Sequence, residues 1–421
     1  MVPLSLTLSR QGREDRSRPW IFPSPLVGEG QGEGASGRNP LFTLSCILSH
    51  QGRGKKNRAA LINIPMTTLS PTVSILVPCR NEHATIASCI RSILAQEPPA
   101  GGFEVIVADG MSDDGTRTLL TQMAAEEPRL QVINNLGRIV STALNAALKV
   151  ARGEIIVRLD AHTHYAPDYL RQCVAVLQET DADNVGGPWV AKGKGFVGQA
   201  IAHVFHSPFA VGGARGHDLR YEGPVDTVYL GCWPRQVFDR IGDFDEQLVR
   251  NQDDEFNLRL TRSGGKVWQS PRIRSWYEPR ESLRVLFSQY QQYGYWKVRV
   301  IQKHRIPASV RHLVPGLFVL ALGLLPVLAL WWVPALWFWL GFLGLYGVCT
   351  FAASLFVARR GGWQLLPILP AVFACYHIAY GCGFLHGVWD LVIWRRQPRS
   401  TYSDLTRRSR QHAAARTSVS R

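Results

Sequence analysis

Residues 72–82 read TVSILVPCRNE. An almost unbroken apolar run, rich in β-branched side chains, ends abruptly in Pro78-Cys79-Arg80-Asn81-Glu82. A strand covered by helices on both faces needs such a run, because neither face can turn to water. The segment after it, EHATIASCIRSILAQ (82–96), sets Ile86, Ile90, Ile93 and Leu94 at helical spacing. The alternation then repeats: FEVIVAD (103–109), a helix from Asp114, LQVINN (130–135), a helix through IVSTALNAALKVA (139–151), and EIIVRLD (154–160). Strand, helix, strand at this tempo predicts a right-handed, parallel α/β sheet. Ligands of such sheets bind beyond the carboxyl ends of the strands. The chemically interesting residues stand at those ends: Arg80 and Glu82, Asp109, Asn134 to Arg138, and Asp160 with His162.

Charge and composition narrow the function. The formal net charge is +15, which by itself suggests a nucleic-acid partner. Its distribution argues for no nucleic acid. Residues 1–69 hold nine Lys/Arg against four acids and residues 395–421 hold eight Arg against one, so only +3 is left for residues 70–394. The basic tails read as solvated or membrane-surface segments. The eight cysteines form no CxxC pair and no Cys/His cluster at zinc spacing, and a reduced, cytosol-facing protein is expected. GxxxxGK[ST] does not occur, so a P-loop reading lacks its key feature, and GxGxxG occurs only as GEGASG (32–37) and GKGFVG (193–198), away from the first strand–helix turn where a dinucleotide site needs it.

Residues 1–69, rich in Gly, Ser, Pro and Arg, are expected to form a disordered extension, with Met66 as the native start. A domain over 70–310 follows. From His312 to Ala358 no Asp, Glu, Lys, Arg or further His follows the opening histidine, enough for two spans of ~20 residues around a break near Pro334. A third apolar stretch, Leu365 to Trp394, contains His377, His386 and Asp390. Residues 311–394 are therefore expected to be transmembrane, with two to four spans, followed by a basic tail over 395–421. Arg305, Arg311, Arg359 and Arg360 suit a cytoplasmic catalytic domain. Three full spans would leave the Arg-rich tail on the other side, so the last stretch is expected to be partly re-entrant, interfacial or divided.

The sheet-end acids suit a nucleotide-sugar site, whose diphosphate leaves carrying developing negative charge that a cation or basic groups must neutralise. Asp160 and His162 are spaced to reach one cation; Mg²⁺ prefers oxygen, and imidazole tolerates Mn²⁺ better. Asp109 reads equally as a cap for the next helix. Arg138 is either a surface arginine or, after Gly137 turns the chain, a phosphate contact. In NQDDEFNLRL (251–260), Asp253, Asp254 and Glu255 open a helix with Asn251 as N-cap and Gly264-Gly265 as terminator. Acids in a first helical turn are ordinarily there for the macrodipole. Tyr290, Tyr293, Gly294, Tyr295, Trp296 and Lys297 form an aromatic and basic stretch, either an interfacial belt or an acceptor platform.

Taken in order, VSILVPCRNE, FEVIVADGMSDDGT, NLGRIVSTALNAAL and ARGEIIVRLDAHTHYAPDYL resemble the inverting family 2 glycosyltransferases of GT-A fold, a Rossmann-like, mixed and mostly parallel sheet flanked by helices. DNVGGPW, SPFAVGGAR, VDTVYLGCW, FDEQLVRNQDDEFNLRL and QYQQYGYWK resemble its ExoA-like, succinoglycan-type exopolysaccharide branch, and the likeness covers roughly 72–320. The resemblance implies that Pro78, Arg80, Glu82 and Asp109 hold the nucleotide, that Arg138 lies beside the diphosphate, and that Asp160 contacts ribose and metal. His162 stands where many relatives have a second Asp. Asp253, after GDFDE (242–246), takes the place of the catalytic base, and Gln252 replaces the customary Glu. A base there agrees with the chemistry, since in-line displacement needs a carboxylate opposite the leaving group. The helix N-terminus is expected to keep it ionised.

The resulting expectation is a multi-pass enzyme of a bacterial inner membrane with its catalytic domain in the cytoplasm. With Mg²⁺ or Mn²⁺ it would transfer glucose from a UDP-sugar to a lipid-linked saccharide acceptor, a growing polyprenyl-diphosphate oligosaccharide. Other exopolysaccharide assembly enzymes are its expected partners. The alternatives are a polyprenyl-phosphate monosaccharide transferase and a non-catalytic membrane scaffold that kept the fold.

Overall fold

The computed structural model describes residues 71–403; the expectations for 1–69, and those for the tail beyond 403, lie outside the described residues. TVSILVPC becomes β1 (Val73–Cys79), buried along almost its whole length, and EHATIASCIRSILAQ becomes α1 (Ile86–Leu94). The chain continues through β2 (Phe103–Asp109), α2 (Thr116–Glu126), β3 (Leu130–Asn134), α3 (Val140–Val150), β4 (Ile155–Arg158) and β5 (Thr163–Tyr165). Later come β6 (Asn184–Gly187), β7 (Gly223–Pro224), β8 (Tyr229–Pro234), β9 (Val267–Gln269) and β10 (Ser275–Tyr277).

The main sheet has the order β3-β2-β1-β4-β8-β6-β9-β7, and β5 pairs with β10 in a small second sheet. β3, β2, β1 and β4 are mutually parallel, whereas β8 runs antiparallel to both β4 and β6. The sheet is thus mixed and mostly parallel, with the parallel strands that the repeat predicts and the mixed arrangement that the GT-A resemblance implies. One core cluster, including Ile75, Val77, Ile86, Ile90 and Ile93, packs on one face of the sheet. A second, including Leu76, Ile106, Leu144, Trp233 and Phe256, packs on the other, as strand alternation requires.

Beyond the sheet, three helices are long and apolar enough to cross a membrane: Val310–Leu328, Pro334–Gly361 and Leu369–Ile393. The break falls where Pro334 starts a helix. Their packing differs. The most apolar windows of the first two are 6% and 17% buried, that of the third 44%. Both ends of the first pair meet the sheet domain: Arg311 pairs with Asp226, and Gly361 lies against His203. The turn between them carries Trp331, 80% exposed.

The third helix lies along helix Leu283–His304 and points the same way, as successive contacts show: Cys375 Sγ to the Leu283 carbonyl, Gly383 over Gln291, and Leu391 O accepting from Gln302 Nε2. A Cβ on Gly383 would sit 1.9 Å from the Gln291 carbonyl, and one on Gly294 would sit 2.1 Å from the Tyr380 carbonyl. Only glycine lets the two backbones approach so closely. At the far end, Trp296 Nε1 donates to Tyr402 O (2.8 Å), the Tyr295 and Tyr402 rings stack at 4.0 Å, and buried Asp390 pairs with Arg399. Thus Tyr295 and Trp296 are core residues, not part of an open platform, because the segment 399–403 covers them.

Candidate active site

The carboxyl ends of β1 and β4 and the start of helix Gln252–Arg262 surround a cavity of about 740 Å³. Of the sequence-predicted residues, Pro78, Arg80, Glu82, Arg138, Asp160, His162 and Asp253 line it together. Asp109 does not. It closes β2 with its carboxylate 1% exposed, accepting from Ser112 Oγ (2.5 Å) and Ser112 N (3.2 Å). It therefore shapes the loop after β2 and is not among the residues that face the cavity. Asp114, not Asp109, receives the N–H of Thr116 at the start of α2 (3.0 Å). The loops after β1 and β2 are laced together: Asn81 N donates to Ser112 Oγ (2.9 Å) and Glu82 N to Thr116 Oγ1 (3.0 Å).

Arg138 reaches the cavity differently from the expectation. Arg138 itself adopts φ 60°, and Gly137 is needed because a Cβ there would meet Thr142 Oγ1 at 2.5 Å. A non-glycine residue held in the left-handed region stores strain of about 1–3 kcal/mol, and such strain concentrates at functional sites.

Asp160 follows β4 and is held from behind. Tyr165 OH accepts from Asp160 N (2.7 Å) and donates to Asp160 O (2.9 Å). Its carboxylate accepts from Arg158 Nε at 3.1 Å. Sequence reasoning passed over Arg158, yet the signal was present: a charge inside the apolar strand EIIVRLD must find acids when it is buried. It finds two. Its side chain is only 8% exposed, and Nη1, which has no hydrogen-bond partner, lies 3.9 Å from Asp253 Oδ2. Burial would lower its pKa, but Asp160 and Asp253 outweigh that and the net direction is up.

His162 Nδ1 is buried without a hydrogen bond, 3.3 Å from Glu82 Oε1. An imidazole nitrogen left open beside a carboxylate suits a divalent cation. Among the described residues no cluster of three or more His, Cys, Asp or Glu side chains could hold a metal ion. A cation held by Asp160 and His162 would complete its shell with substrate oxygens and water, as Mg²⁺ does readily.

The three consecutive acids of the helix have three different surroundings. Asp253 faces the cavity and Arg158, its side chain 29% exposed. Burial, then neighbouring Asp254, raises its pKa, against the pull of Arg158 and Lys297. The expectation that the helix start would favour its ionised form is thus outweighed by desolvation. Asp254 also lines the cavity and pairs with Lys297. Burial, the largest effect, would raise its pKa, but Lys297 with His312 and Arg311 together outweigh it and the net direction is down. Glu255 points the other way, 0% exposed, and holds Arg259 (3.0 Å), Lys303 (2.9 Å) and His304 (3.0 Å). Asn251 adopts φ 60° and offers no side-chain cap; its Nδ2 donates to Tyr293 O (2.9 Å), tying the helix start to helix Leu283–His304. Gly264, at φ 83°, ends the helix as expected. Tyr290, Tyr293 and Lys297 line the cavity, so the aromatic stretch divides between wall and core.

Acids at the strand ends, Asp253 beside the same arginine as Asp160, and further basic side chains lining one cavity suit a substrate whose diphosphate carries negative charge. The chain belongs to glycosyltransferase family 2 and is a glycosyltransferase. The family model "Glycosyl transferase family 2" matches residues 74–241, stopping short of helix Gln252–Arg262. The succinoglycan biosynthesis protein ExoA of Rhizobium meliloti is 28% identical over 321 residues, 75% of this chain and 94% of that protein. An N-acetylglucosaminyltransferase of Bradyrhizobium elkanii is 32% identical over 131 residues, 30% of this chain and 69% of that one. A dolichyl N-acetyl-alpha-D-glucosaminyl phosphate 3-beta-D-2,3-diacetamido-2,3-dideoxy-beta-D-glucuronosyltransferase of Methanococcus voltae is 27% identical over 239 residues, 55% of this chain and 74% of that one.

Proposed function

We propose that this glycosyltransferase moves glucose from a UDP-sugar, with inversion, onto a polyprenyl-diphosphate-linked oligosaccharide at the cytoplasmic face of a bacterial inner membrane. Asp253 accepts the proton of the acceptor hydroxyl as that oxygen bonds to the anomeric carbon. The bond from that carbon to the donor diphosphate breaks on the opposite face, and the nucleoside diphosphate departs. Arg138 bears the departing charge, with Pro78, Arg80, Glu82 and Asp160 around the nucleotide. Asp109 is retained as a positioning residue, acting through the Ser112 loop. A divalent cation at Asp160 and His162 would neutralise diphosphate oxygens.

The observation that carries the reading is the arrangement of Asp160 and Asp253 on one cavity, with Arg158 between them. The ExoA and Methanococcus relatives, whose names refer to succinoglycan and to a dolichyl-phosphate-linked sugar, support the acceptor class. The test is a donor panel (UDP-glucose, UDP-galactose, UDP-GlcNAc, GDP-mannose) with Mg²⁺ or Mn²⁺ and a membrane lipid extract. Cation-dependent incorporation of glucose into lipid-linked oligosaccharide is expected. A single sugar on a lipid monophosphate would refute the acceptor, and incorporation from GDP-mannose alone would refute the donor.

The membrane arrangement we propose is a two-span hairpin, Val310–Leu328 and Pro334–Gly361, with the third helix lying at the interface along helix Leu283–His304. That assignment keeps Tyr402, which rests on Trp296 next to Lys297, on the catalytic side, and it removes the conflict over the Arg-rich tail. A reporter fused after residue 421 is expected to report cytoplasm and one inserted at Trp331 to report periplasm. A periplasmic signal from the C-terminal fusion would contradict it.

A further inference from the structure

Arg158 is the last residue of β4, two positions before Asp160. Its guanidinium is shared unequally between two acids. Nε donates to Asp160 Oδ1 (3.1 Å) and Nη2 to Asp160 Oδ2 (3.5 Å), a fork on a fork that fixes the guanidinium plane. Nη1 is left over: it is buried, has no hydrogen-bond partner and stands 3.9 Å from Asp253 Oδ2. A charge-assisted hydrogen bond between such groups is ~2.7–2.9 Å long, so the pair stops about 1 Å short of one. A buried N–H without an acceptor costs stability, and the only acid that Nη1 faces is Asp253. The other oxygen of that carboxylate is already held, since Asp253 Oδ1 accepts from Asp254 N (3.0 Å).

We infer that Arg158 is the positioning residue of the base. As substrate fills the cavity, Nη1–H closes on Asp253 Oδ2, as hydrogen bonds in empty active sites tighten when substrate binds. Held at Oδ2 by Arg158 and at Oδ1 by Asp254 N, the carboxylate has its plane fixed, and a remaining lone pair is aimed at the acceptor hydroxyl. Because the rest of the guanidinium sits on Asp160, the base is registered against the donor end of the cavity and not only against its own helix. A counter-charge alone would need no fork, and a lysine would serve. The inference rests on the reading of Asp253 as base and adds what aims it.

Arg158→Lys separates aim from charge, because lysine keeps the cation between the acids and loses the planar fork. In the full-length protein in detergent, with the donor that proves active, it is expected to keep the donor KM within a few-fold. Its kcat is expected to fall about a hundredfold, the scale of a 1 Å misplacement. In an Asp253→Asn background the same substitution is expected to cost nothing further, since a residue that only aims the base has no effect once the base is gone. Wild-type kcat in Arg158→Lys would overturn the inference and reduce Arg158 to a counter-charge. A hundredfold loss repeated in the Asp253→Asn background would also overturn it, because Arg158 would then act apart from Asp253. Wild type supplies a check that needs no Arg158 variant to fold. With a donor analogue and an acceptor head group bound, Nη1 is expected within ~3.2 Å of Asp253 Oδ2, and a separation still at 3.9 Å would overturn the inference. An Asp253→Asn enzyme as active as wild type would instead overturn the assignment of the base, and the inference with it.

Discussion

Asp253→Asn should lower the rate of sugar transfer by about a thousandfold while leaving the fold and donor binding close to normal. A positioned general base contributes roughly 10²–10⁴ in rate, and the amide keeps the size of the side chain while losing the proton acceptor. The environment sharpens the expectation. Burial raises the pKa of Asp253, so the carboxylate is a stronger proton acceptor than an exposed aspartate. Because the ionised form is the working one, kcat/KM should be full above the raised pKa and fall as pH drops through it. The acid limb should therefore lie above the ordinary aspartate range near ~3.9. A steady-state pH profile of wild type, with the variant's kcat at neutral pH, checks both statements. An Asn variant within a few-fold of wild type would remove Asp253 from the chemistry.

Two residues along, Glu255→Gln should leave the chemistry largely intact and weaken the fold. Glu255 is fully buried and answers Arg259, Lys303 and His304, so the amide strands three basic groups around a neutral side chain. Breaking a buried pair costs roughly 3–5 kcal/mol; Lys303 keeps 40% exposure, which brings the expected loss to about 2–3 kcal/mol. The linkage has a definite sign. Burial would raise the pKa of Glu255, but its bonds to Arg259 and Lys303 outweigh that and lower it. Its contribution is therefore present above the unfolded glutamate value of ~4.3 and is lost as pH falls through the lower folded value. Thermal melting in detergent at neutral and acid pH would show the gap between wild type and variant closing on acidification. An unchanged midpoint at neutral pH would contradict the role given to Glu255.

Those neighbours also show how far the sequence could be read. The alternation of buried strands and amphipathic helices is a local property, so β1 to β4 and the cavity they end on were legible in residues 72–160. The acids of NQDDEF were legible as a helix start, but not their division of labour. Successive residues on a helix face directions ~100° apart, and which direction meets Arg158, Lys297 or His304 depends on contacts 43 to 95 positions away. Arg158 was overlooked because it reads as a strand residue until its two acids are known. Asp109 sits at a strand end, as nucleotide-binding acids do, yet the serine three residues on occupies its carboxylate. Tyr295 and Trp296 looked like membrane-interface aromatics because nothing in their own neighbourhood reveals that Tyr402 covers them. The third apolar stretch has a membrane-like composition, and only its glycines at 383 and 387 hint at a helix packed against another helix.

The central claim is geometric, and a structure of the protein with an intact, non-hydrolysable UDP-glucose analogue and an acceptor head group tests it. The account predicts one Asp253 carboxylate oxygen within hydrogen-bond reach, ~2.6–3.2 Å, of the acceptor hydroxyl. It also predicts the diphosphate on the opposite face of the sugar, towards Asp160. A carboxylate turned away from that hydroxyl, or lying on the same face as the diphosphate, would contradict it.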